Sequence, residues 1–87
     1  MLPLKARILQ YIVENNRPLT INNVMIDLAS EYACERQFNR KRVQAYIDSF
    51  LAVSFLDVVN LEYDEHKNLE ITFKISDYGL TRKKYLF

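Results

Sequence analysis

The chain has 87 residues, of which 49% are hydrophobic and 26% charged, with a formal net charge of +1. That length suits one domain, and so large an apolar fraction excludes a disordered chain and allows a real core. The single cysteine, Cys34, has no internal disulfide partner, so the composition points to a fold held by packing in a reducing, cytoplasmic compartment.

Lys5 and Arg7 interrupt the N-terminal apolar residues early, so neither a targeting segment nor a membrane span is expected. Leu4, Ile8, Leu9, Ile12 and Val13 recur at helical spacing and predict a first helix over Leu4–Glu14, closed by Asn15-Asn16-Arg17-Pro18. Pro18-Leu19 reads as an extended link, at most a one-bridge strand, leading to Thr20 as a helix N-cap. The second helix carries its apolar stripe on Ile21, Val24, Met25, Leu28, Ala29 and Tyr32. No Gly or Pro marks its end, which is placed near Gln37 because Asn39 can cap the next helix.

The third helix is expected over Arg40–Ala52, with Val43, Tyr46, Ile47, Phe50 and Leu51 facing inward and Lys41, Ala45, Asp48 and Ser49 outward. Val58, Val59, Leu61 and Tyr63 then give Leu56–Tyr63 the composition of a strand, and Asp64–Asn68 a polar turn. Leu69-Glu70-Ile71-Thr72-Phe73-Lys74-Ile75 alternates strictly, as a half-buried hairpin strand does. A short helix over Leu80–Phe87 follows the only glycine, Gly79, and would expose Arg82, Lys83 and Lys84. The expected fold class is therefore α+β, a three-helix bundle followed by a two-stranded hairpin and a terminal helix.

This order resembles the winged helix-turn-helix regulators of bacteria, archaea and their viruses and plasmids. The resemblance is carried by Leu28-Ala29, by the segment Arg40 to Leu51, and by Ile75-Ser76-Asp77-Tyr78-Gly79, which is similar to their strand exit L-T-x-x-G. Two features depart from the pattern: Ser30 to Phe38 is a longer turn without glycine, and Ser54 stands where a glycine commonly follows the third helix. The resemblance implies transcription regulation, with helix 3 in the major groove of double-stranded DNA and the hairpin, the wing, on the backbone or in the minor groove.

The charges support part of that expectation. Arg36, Arg40, Lys41 and Arg42 set four cations in one acid-free heptapeptide, where they oppose the helix dipole unless something anionic compensates. The expected DNA-contacting set is Arg36, Asn39, Arg40, Lys41, Arg42, Gln44, Ala45 and Asp48, with Lys67 at the hairpin tip. The same charges also suit a solvated surface paired with Glu35 and Asp48. The hairpin region argues differently: Asp57, Glu62, Asp64, Glu65, Glu70 and Asp77 outnumber Lys67 and Lys74, and phosphate would be repelled there.

An enzyme is not expected, and neither is a cofactor or a metal. One Cys and one His offer no ligand spacing, and one glycine builds no phosphate-binding loop. The terminal Leu80, Tyr85, Leu86 and Phe87 are expected to dock on helix 1 or on a second chain, the latter as a homodimer through helix 1 and the C-terminal segment. The alternative is a winged helix serving as a protein-interaction module that reads no DNA, which the acidic hairpin and near-zero net charge would suit.

Overall fold

The computed structural model describes residues 3–33, 35–36 and 38–82. Its elements are α1 (Leu4–Glu14), α2 (Ile21–Tyr32), α3 (Arg40–Ala52), β1 (Leu56–Tyr63), β2 (Leu69–Ile75) and α4 (Asp77–Arg82). The fold is α+β: three helices, an antiparallel hairpin and a short helix. The bounds of α1, α3 and both strands coincide with the sequence expectation, and two helix ends do not.

The first difference is α2, which stops at Tyr32 instead of running toward Gln37. The Glu35 N–H returns to the Tyr32 carbonyl at 2.9 Å, and the Phe38 N–H to that of Glu35 at 3.1 Å. Phe38 then meets Tyr32 edge to face with ring centroids 5.8 Å apart, a contact that requires the chain to turn back off the helix axis. Cys34 and Gln37 lie outside the described residues.

The second difference is α4, which begins at Asp77 and takes Gly79 into its first turn. Asp77 therefore belongs to this helix and not to the hairpin. The Ser76 hydroxyl accepts the Gly79 N–H at 2.9 Å and donates to the Ser54 carbonyl at 2.7 Å, so Ser76 is the cap. A Cβ at position 79 would stand 2.5 Å from the Phe55 carbonyl oxygen, which is why glycine occupies it. Lys83, Lys84, Tyr85, Leu86 and Phe87 lie outside the described residues, as does the part of the expected terminal helix that they form.

The starts of α2 and α3 each have a local cause. Thr20 and Asn23 form a reciprocal capping box at α2, and the Asn39 side chain accepts the Arg42 N–H at 2.8 Å at α3. At the end of α3 the Phe55 N–H reaches the Phe50 carbonyl and the Ser54 N–H that of Leu51, with Ser54 between them at φ 65°. This termination normally takes glycine in its left-handed position. Ser54 keeps the geometry that glycine would have and bears the strain.

The core gathers one face of every helix. Ile8, Ile12, Leu19, Val24, Leu28, Val43, Ile47 and Phe73 are fully buried, and Tyr11, Tyr32, Phe50, Leu56 and Ile75 complete it. Leu19 joins β2 through paired backbone bonds with Phe73, at 2.7 and 2.8 Å, so the extended link is a one-bridge strand. Polar ties reinforce α1 against α2: Arg7 grips Glu31 through two bonds, and the Tyr11 hydroxyl donates to Asp27. Burial and that carboxylate push the Tyr11 phenol up to about 12.

In the hairpin, Leu56 pairs with Ile75, Val58 with Phe73, Leu61 with Ile71 and Tyr63 with Leu69, with an irregularity at Val59. These pairs share the core-facing side, yet burial fades toward the tip because the helices reach only its base. Phe73 and Ile75 are buried and Ile71 half-buried, whereas Leu61, Tyr63 and Leu69 are 57%, 73% and 50% exposed. At the tip Lys67 adopts φ 63°. The Asp64 carboxylate accepts the N–H groups of His66 and Asn68, and this holds its pKa below the ordinary carboxylate value.

Candidate nucleic-acid interface

The start of α3 presents its cations outward. Arg36, Arg40, Lys41 and Arg42 are all exposed, and Lys41, Ala45 and Asp48 succeed one another along a single outer face. The buried Val43, Ile47 and Phe50 hold the opposite face on the core and fix that orientation.

Four members of the expected set are engaged within the fold itself. Asn39 caps α3 through its carbonyl oxygen and donates from its amide to the Arg36 carbonyl at 3.0 Å, so both ends of its side chain are engaged. Arg40 donates to the Asn22 side chain at the start of α2, and Asn22 in turn donates to Glu70 of β2 at 3.5 Å. This chain of contacts ties α3, α2 and the hairpin together. Gln44 is half-buried and donates to Asp48, one turn on, at 2.8 Å.

Arg40 and Gln44 border a groove of about 460 Å³ between α3 and the hairpin, whose other wall includes Asp64, Asn68 and Glu70 above Ile71 and Phe73. Two carboxylates face one guanidinium across it. A phosphate inside the groove meets repulsion, while one lying over Lys41 and Arg42 meets only the cationic start of α3. Lys67 sits on the exposed turn and does not border the groove. The structure thus exposes Arg36, Lys41 and Arg42, lines up Lys41, Ala45 and Asp48 on one outer face, sets Arg40 and Gln44 on the groove, and leaves Lys67 apart from it.

Asn22 and Glu70 are the residues that sequence reasoning missed. Both were visible as outward-facing positions of an amphipathic helix and an alternating strand. Nothing in their spacing revealed that the α2 start, the α3 start and β2 converge.

A second, more apolar hollow of about 610 Å³ lies beside the start of α1, lined by Leu9, Phe50, Val53, Phe55 and Tyr78. Among the described residues no group of three or more His, Cys, Asp or Glu could hold a metal ion, and no helix is long and apolar enough to cross a membrane. Comparison with protein-family models, with curated proteins and with solved structures gives no match.

Proposed function

We propose that this chain is a winged-helix protein of the cytoplasm that binds double-stranded DNA as a small transcription regulator, with α3 as its recognition helix. The observation that carries the reading is the exposed cluster of Arg36, Lys41 and Arg42 at and before the first turn of α3. Cations there oppose the helix dipole by about 0.3–1 kcal/mol each, a cost that neighbouring phosphates offset. Phosphate contacts through these residues would seat the helix, and Ala45 and Asp48, further along the face of Lys41, would lie toward the base edges. Arg40 and Asn39 serve mainly to hold α3 in place. A homodimer through α1 and the C-terminal segment belongs to the same reading, since two recognition helices about 34 Å apart match one turn of DNA; the apolar hollow beside α1 supports it.

The test is fluorescence anisotropy of a labelled random-sequence duplex pool across a salt series. Binding should weaken steeply with salt, and Lys41→Ala should reduce the magnitude of the logarithmic slope by about one. Absence of binding at low salt overturns the proposal. The protein-interaction reading is favoured by a different observation, the exposed apolar side of an acidic hairpin.

A further inference from the structure

β1 has a hydrogen-bonded neighbour on one side only. It pairs with β2, and the Leu19 bridge lies beyond β2. Along Leu56–Tyr63 the outer backbone edge is therefore unpaired among the described residues, and seven of its eight residues are exposed. Protein sheets usually protect an edge of this length with lysine, proline or extreme shortness. The strand LDVVNLEY has no lysine or proline; its irregularity at Val59 and its charge at Asp57 protect the base of the edge, and from Asn60 to Tyr63 only Glu62 remains. Its apolar members Leu61 and Tyr63 stand with Leu69 on one side of the hairpin, and all three are open to solvent.

The other side is acidic. Glu62 lies directly opposite Glu70, a like-charge cross-strand pair that a nearby cation relieves; Arg40 faces Glu70 across the groove, whereas Glu62 accepts the Asn60 amide at 2.8 Å and no salt bridge reaches it among the described residues. Residues 56–75 carry five carboxylates against two lysines, a net charge of −3 with His66 neutral. A second copy of this hairpin would bring the same negative charge to the edge, and a nucleic acid would bring more. A basic segment complements it.

We propose that the outer edge of β1, chiefly Asn60–Tyr63 beyond the irregularity at Val59, is a docking edge for an extended basic segment of another protein. The segment adds as a third strand through its backbone. Its apolar residues cover Leu61 and Tyr63, and its alternate lysines or arginines reach the Glu62–Glu70 pair. The edge is separate from the outer face of α3, so it stands whether or not α3 binds DNA, and one protein could hold DNA on α3 and a basic partner on the hairpin.

The test is amide-resolved NMR titration of the full chain with a capped synthetic peptide of alternating lysine and valine, beside a control alternating glutamate and valine. The lysine peptide should bind saturably and shift the amides of residues 57–63, leaving those of Lys41–Asp48 in place. Glu62→Lys, on the exposed surface and outside the contacts that join Arg40, Asn22 and Glu70, should weaken it about tenfold or more while the spectrum stays dispersed. Absence of binding, equal binding of the glutamate peptide, or shifts centred on α3 overturns the proposal. So does peptide-free, concentration-dependent association through these amides, which would make a second copy the occupant. A DNA titration reads α3 amides, so the two readings fail separately.

Discussion

Replacing Ser76 by alanine removes the hydroxyl that joins the end of α3, the exit of β2 and the start of α4. Ser76 is only 5% exposed, and its oxygen both accepts the Gly79 N–H and donates to the Ser54 carbonyl. Loss of a serine cap costs about 1 kcal/mol, and a buried N–H left without a partner raises the total to about 1–3 kcal/mol. For a domain of this size each kcal/mol lowers Tm by roughly 4–8 °C, so Ser76→Ala should melt about 8–16 °C below the parent at a loss of ~2 kcal/mol. Ser76→Thr keeps the hydroxyl and should stay within about 3 °C. Thermal unfolding followed by circular dichroism, with urea midpoints as a second measure, reads both variants. A drop under about 2 °C for Ser76→Ala would refute the assignment of the hydroxyl as a cap and tie.

Glycine at the two left-handed positions should act in the opposite direction. Ser54→Gly and Lys67→Gly relieve φ values of 65° and 63°, and each should gain about 0.5–1 kcal/mol after the extra freedom of the unfolded chain is counted, read as a higher urea midpoint. Gly79→Ala should cost about 1–3 kcal/mol by the same assay, because a backbone oxygen 2.5 Å away has little room to move. Tyr11 should titrate late in an ultraviolet pH titration, near its raised value of about 12. The folded value lies above the unfolded one of about 10, so the native state holds this proton longer; its contribution is intact below pH ~10 and is lost as pH rises from ~10 toward 12. Tyr11→Phe should remove that late step and flatten the alkaline loss of stability. Asp48→Asn removes a carboxylate from the outer face of α3 and should tighten DNA binding severalfold in the anisotropy assay, whereas unchanged affinity would place Asp48 outside the interface.

Much of the fold was legible because its elements carry strong periodic signals. The stripe of Ile8, Leu9 and Ile12, that of Val43, Ile47 and Phe50, and the alternation from Leu69 to Ile75 each match an observed element. The end of α2 was hidden because it depends on a tertiary contact, Phe38 on Tyr32, and not on a breaking residue. The start of α4 was written in Ser76 and Gly79, but reading it required the position of the Phe55 carbonyl. Leu61, Tyr63 and Leu69 look like core residues in sequence and are exposed because the hairpin outreaches the helices. The cationic start of α3 was plain from composition. The diversion of Arg40 to Asn22, and of Asn39 to capping, followed only from how α2 meets α3.

The most direct measurement of the central claim is an amide-resolved NMR titration of the chain with a short duplex at low salt. The account predicts shifts concentrated on Arg36 and on Lys41 through Asp48, with the hairpin tip little changed. Shifts confined to the hairpin, or none at all, would contradict α3 as the DNA-reading element.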